Sequence, residues 1–147
     1  MATHRARAVW EGDLASGVGR VSLASGTAPP LHVSWRQRTE GGVDDQTSPE
    51  ELIAAALGSC FSMALSNGLS QAGHPPQRLS VEASCTIEQV EAGFAITKAH
   101  LKVRGVVPGI DPDAFQEEAR GAADGCPVSG ALRGNVDITV EAELEQE

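Results

Sequence analysis

Apolar residues follow two rhythms along this chain, and the change between them outlines the fold. Leu79, Val81, Ala83, Cys85 and Ile87 alternate with Ser80, Glu82, Ser84, Thr86 and Glu88, which is the period of a half-buried strand. After a turn at Glu91-Ala92-Gly93 the pattern resumes with Thr97, Ala99, Leu101 and Val103, so these two runs predict a hairpin. Val136, Ile138, Val140, Ala142 and Leu144 predict a closing strand. Near the start, RAVWEGD, GRVSLASG and LHVSWRQR are separated by Gly17, Gly19, Gly26, Pro29 and Pro30, and residues 7–39 read as a β meander.

From Glu50 to about Gln71 the rhythm is lost because the sequence is apolar nearly all round: Leu52, Ile53, Ala54 to Leu57, Cys60, Phe61, Met63, Ala64, Leu65, Leu69. Such a segment predicts a long helix buried centrally rather than laid on a surface. Its start is marked. Ser48 is a cap, Pro49 suits the first helical position, and Glu51 stands three residues after Ser48 as a capping box requires; capping by Thr47 with Glu50 is the shifted alternative. AGHPP ends the helix. VPGIDP introduces a second helix over about 112–124, and a short helical segment starts at Cys126-Pro127.

The order strands, helix, hairpin, helix, strand predicts an α+β fold, with helices packed on one side of a mainly antiparallel sheet. At 147 residues a single domain over 1–147 is expected. Met1 is followed by the polar THRAR, and no stretch approaches the run of about 18 apolar residues that spans a bilayer, so no membrane role and a cytoplasmic location are expected. A net charge of −9 opposes nucleic-acid binding, and with 3% aromatics and no Tyr there is no stacking platform for single strands.

The cysteines change the picture most. Three is an odd number, there is no C-x-x-C, and His4, His32, His74 and His100 lie far apart without zinc-like spacing. In a reducing compartment any disulfide would be transient and catalytic. By position alone Cys60 reads as a small buried hydrophobe. Two features point the other way: charge just before an otherwise apolar helix, and Cys126 at a helix mouth, where backbone N–H groups favour a thiolate. Cys85 falls on the apolar face of a strand and reads as core. A thiolate needs a cation, for which Arg20, Arg36 and Arg38 are the candidates, and strand alternation leaves Arg36 and Arg38 on the polar face beside His32 and Ser34. Acids in a first helical turn suit the dipole whatever the function; if Glu51 closes the capping box, Glu50 is free for another role.

Taken together, WEGD, R-x-E-G at Arg38 to Gly41, TSPEELIAAALGSCFSMALS, GFAITK, VPGI and GCPVS resemble the OsmC/Ohr family of thiol-dependent organic hydroperoxide reductases, on the OsmC side. The resemblance runs over essentially the whole chain. It implies an OsmC-like fold and an intertwined homodimer, with Cys60 as peroxidatic cysteine, Cys126 as resolving cysteine and Glu50 as the acid. Arg38 fits the arginine, but the loop after it is about two residues longer than is usual, which keeps Arg36 and Arg20 in play.

The implied chemistry is attack of Cys60 thiolate on ROOH, release of ROH, condensation of the sulfenic acid with Cys126, and reduction by a lipoyl-type or thioredoxin-like dithiol. No metal, haem or flavin takes part, and the implied role is oxidative and osmotic stress defence. Phe61, Met63, Leu52 and Ile53 favour organic hydroperoxides over hydrogen peroxide. In a straight helix ten residues put Glu50 about 15 Å from Cys60 along the axis. Either Glu50 serves the Cys60 of a partner chain or the helix breaks near Gly58. A different reading is a non-catalytic dimeric scaffold holding a hydrophobic small molecule, and a third, acyl transfer on Cys60, lacks a nearby histidine base.

Overall fold

A computed structural model describes residues 1–146, which form seven strands and four helices. The chain divides into two compact units, Met1–Leu52 and Ile53–Glu147. The architecture is α+β as the sequence predicts.

The first unit is a sheet in the order β1-β2-β3-β4, formed by β1 (Ala6–Glu11), β2 (Val18–Leu23), β3 (Leu31–Val33) and β4 (Gln46–Thr47). The first two pairs are antiparallel and the third is parallel. Trp10 stands opposite Gly19, where an added Cβ would lie 2.8 Å from the indole ring and 2.6 Å from Val33, so only glycine lets the ring lie across the strand.

LHVSWRQR is not one strand. The chain leaves the sheet after Val33 and enters a short helix, α1 (Trp35–Thr39). The Ser34 side chain accepts the Gln37 N–H at 3.1 Å and donates to the Gln46 side chain, so a local cap outweighs a weak alternation. The predicted placement of Arg36 and Arg38 on one strand face is thereby corrected, because residues two apart on a helix do not face the same way.

The long helix, α2 (Pro49–Gln71), starts as the sequence indicates. Ser48 Oγ accepts the Glu51 N–H at 3.1 Å, but the Glu51 carboxylate takes the Thr47 hydroxyl at 2.7 Å, so the returning arm of the box goes to Thr47. The helix runs unbroken through Gly58. Leu57, Phe61, Leu65 and Leu69 are fully buried at a spacing of four, whereas Ala55, Ala56, Ser59 and Asn67 are exposed and Met63 is 68% exposed. The helix is therefore buried on one face, not all round. Its 23 residues have a mean hydropathy of 1.5 over a membrane-length window, enough by length and composition to cross a bilayer. The expectation that no stretch approaches this is corrected; interspersed Gly and Ser hide it from a count of consecutive apolar residues, and the helix is the core element of its unit.

The second unit adds β5 (Arg78–Val90), β6 (Gly93–Val106) and β7 (Asp137–Leu144) in that order. β5 and β6 are the predicted antiparallel hairpin, while β7 runs parallel to β6. The parallel return needs a crossover, supplied by α3 (Pro112–Gly125) and α4 (Pro127–Leu132). Asp111 caps α3 by accepting the Ala114 N–H at 2.9 Å. Phe61 and Leu65 of α2, Leu101 and Val103 of β6, and Phe115 and Ala119 of α3 share one core. The Phe115 ring sits where Gly105 has no side chain; a Cβ there would be 2.6 Å from it. On the other face of the sheet the central strand is basic and its neighbours acidic, with Lys102–Glu141 at 3.5 Å and Lys98–Glu88 and Arg104–Glu143 at 3.8 Å.

Candidate active site

Of the three candidate arginines, Arg20 and Arg36 form exposed pairs, with Glu11 at 3.7 Å and with Glu40 at 3.1 Å. Arg38 is different. Its Nε donates to Glu50 Oε1 at 2.9 Å, joining α1 to the first turn of α2 within the first unit. The Glu50 side chain is only 5% exposed and that of Arg38 37% exposed, so a carboxylate is buried on a guanidinium that still reaches solvent. Glu50 Oε2 is buried with no hydrogen-bond partner among the described residues.

Arg38 also borders an apolar pocket of about 300 Å³ walled by Trp10, Leu14, Val33, Trp35 and Pro49. Periodicity does not identify this wall, and Phe61 and Met63, the apolar neighbours of Cys60, do not line it. Phe61 is in the core of the second unit and Met63 faces outward. The overlooked signal is that the chain has two tryptophans, one in the WEGD motif and one directly before the arginines.

In the second unit Cys60 of α2 and Cys126 are neighbouring thiols whose ionisations act on each other, and all three cysteines are unbridged. Cys126 is the residue between α3 and α4 and caps the latter. It is 1% exposed, and its Sγ lies 3.2 Å from the Ser129 hydroxyl and accepts the Ser129 N–H at 3.4 Å. The two thiols are held in opposite senses. Burial pushes the Cys60 thiol above its ordinary value; the Val128 N–H opposes this and Cys126 reinforces it. Burial acts on Cys126 in the same way, but hydrogen bonds from the Ser129 hydroxyl and N–H, from Cys60 and from the Val128 N–H outweigh it and hold that thiol below its ordinary value. Cys85 packs at the margin of the core. His74 lies against the Pro108 carbonyl and His100 against Thr139. Among the described residues no three His, Cys, Asp or Glu side chains gather to hold a metal.

A family model described as OsmC-like protein matches residues 42–141. Peroxiredoxin OsmC of Escherichia coli is 43% identical over 141 residues, 96% of each chain. The chain belongs to the OsmC-like protein family. Another member it resembles is an organic hydroperoxide resistance protein of Xanthomonas axonopodis pv. citri, 32% identical over 81% of this chain and 82% of that one. Among solved folds, the organic hydroperoxide resistance protein OhrB of Bacillus subtilis superposes with a TM-score of 0.72 at 26% identity, covering 96% of this chain and 98% of the other. The OsmC-like match spans Glu50, Cys60 and Cys126, while Arg38 and the Trp10 wall lie before it.

Proposed function

We propose that this chain is a cysteine-based peroxidase that reduces organic hydroperoxides to alcohols, and hydrogen peroxide more weakly, in defence against oxidative and osmotic stress. The observation that carries the reading is the unequal thiol pair, a half-buried Cys60 beside a buried Cys126 that the Ser129 N–H and hydroxyl hold toward the thiolate. Peroxidatic Cys60 thiolate attacks the distal oxygen of ROOH; the O–O bond breaks, and the alkoxide leaves and takes up a proton as ROH. The Cys60 sulfenic acid then condenses with Cys126, releasing water and forming a disulfide. A lipoyl-type or thioredoxin-like dithiol in the cytoplasm returns both thiols.

Cys60 needs a cation because its surroundings hold its proton on. In this reading the cation is Arg38, oriented by Glu50, with the nearby apolar pocket taking the organic part of the hydroperoxide. The guanidinium also stabilises the developing alkoxide. An unbroken α2 puts ten residues, about 15 Å of rise, between Glu50 and Cys60. Two copies would therefore exchange groups, the Arg38–Glu50 pair of one serving Cys60 of the other in a homodimer whose chains each form a single functional domain. The exposed stripe of α2 around Met63 and the exposed apolar positions Val9, Trp10 and Val18 support this assembly, since they are the surfaces a second copy would cover.

The test is titration of the reduced protein with one equivalent of cumene hydroperoxide, followed by thiol counting and disulfide mapping by mass spectrometry. Loss of two thiols as a Cys60–Cys126 bond, with alcohol released and Cys85 intact, is the expected result. Survival of all three thiols would sink the peroxidase and leave a ligand-binding scaffold. Full activity in a strictly monomeric protein would remove the shared site.

A further inference from the structure

The two sulfurs of the pair differ in access and in hydrogen bonding, and the proposed cycle uses only the oxidising half of that difference. Cys126 is 1% exposed while Cys60 is half-buried, so a thiol from outside meets Cys60 first. Ser129, itself 1% exposed and buried in the same core, offers Cys126 both its N–H and its hydroxyl. Thiol–disulfide exchange is faster when the departing sulfur is the better-stabilised thiolate.

We infer that Ser129 is a positioning residue that makes Cys126 the leaving sulfur, so that the reducing dithiol enters at Cys60. The inference rests on the Cys60–Cys126 disulfide of the cycle above. One thiolate of the dithiol attacks Cys60 Sγ and bonds to it. The Cys60–Cys126 bond breaks, and Cys126 departs with the electron pair onto a sulfur that Ser129 solvates. The second thiolate of the dithiol then attacks its own partner sulfur, closing the reductant's disulfide and releasing Cys60 as a thiolate. Two electrons pass from the dithiol to the protein, and no further reactant is needed.

The test makes the disulfide with diamide rather than a hydroperoxide, so that failure of the peroxidase reading and failure of this one are separated. A monothiol, glutathione, is then added to wild-type protein and the mixed disulfide mapped. The adduct is expected on Cys60 with Cys126 free; an adduct mainly on Cys126 overturns the inference and needs no variant. Ser129→Ala should slow reduction of the disulfide by dihydrolipoamide about three- to ten-fold, the loss expected for a poorer leaving thiolate. It should also move the pH midpoint of thiolate absorbance upward in the Cys60→Ser protein, and Ser129→Thr should restore both. If Ser129→Ala leaves both the rate and the midpoint in place, Ser129 has no part in the exchange.

Discussion

The two units of this chain treat apolar side chains in opposite ways. In Ile53–Glu147, Leu57, Phe61, Leu101 and Phe115 are closed into one core that includes Cys126, with Cys60 packed against it. In Met1–Leu52, every residue of β1 is exposed, Trp10 among them, as is Val18 of β2, and the buried side chains are polar: Thr47, Ser48 and Glu50. One unit is completed by its own packing, whereas the other displays apolar surface and buries a charge. In the proposed cycle the difference separates the labour, with both reacting thiols in the unit that holds the closed core and the guanidinium and apolar pocket in the unit that displays apolar surface.

Removing the nucleophile should have the largest effect. Cys60→Ser is expected to lower hydroperoxide turnover by at least about 10³-fold, measured as alcohol release. Next comes packing: Phe115→Ala should cost about 3–5 kcal/mol in urea unfolding, whereas Trp10→Ala should cost about 1 kcal/mol and, in the proposed homodimer, show itself as dissociation on dilution in sedimentation. A Trp10 loss as large as that at Phe115 would erase the contrast between units. Arg38→Ala leaves Glu50 buried without its cation, so kcat/KM should fall about 10²-fold and stability by about 2 kcal/mol, between the values for surface and buried pairs. Steady-state kinetics and denaturation of the same preparation check both.

The thiols give a smaller, signed effect. In Cys60→Ser protein the pH midpoint for alkylation of Cys126 should lie below that of an ordinary thiol, about 8.5, and in Cys126→Ser protein that of Cys60 should rise when Arg38→Ala removes the proposed cation. A depressed thiol contributes stability above its unfolded value and loses it as pH falls through the folded one. A raised thiol contributes below its unfolded value and loses it as pH rises through the folded one. The pair thus opposes itself across the alkaline range, and each single variant should tilt the stability profile the other way. Arg36→Ala closes the series, within about 0.5 kcal/mol and without kinetic consequence, because its partner Glu40 is exposed.

What was legible in the sequence was local. The start of α2, the helix after VPGIDP, the helical segment from Cys126 and the β5–β6 hairpin depend on residues a few positions apart, and each stands where its pattern places it. β4 was not legible, since two residues form a strand only because β3 lies beside them. The choice among the arginines, with Arg38 ahead of Arg36 and Arg20, stayed open for a similar reason. It turns on a contact between Arg38 and Glu50 across twelve residues, and on a helix that Ser34 starts where alternation suggested a strand. The extent of α2's burial was misread because apolarity on every side was taken for burial within one chain.

The charge-striped outer face of the β5-β6-β7 sheet bears on how the protein meets concentrated salt. At about 1 M ionic strength the screening length shrinks to about 3 Å, and solvent-facing pairs such as Lys98–Glu88 and Arg104–Glu143 fade to independent hydrated groups. The Arg38–Glu50 pair, with its carboxylate shielded from water, is screened far less. Brine would then quiet the exterior while leaving the cation of the candidate site in place.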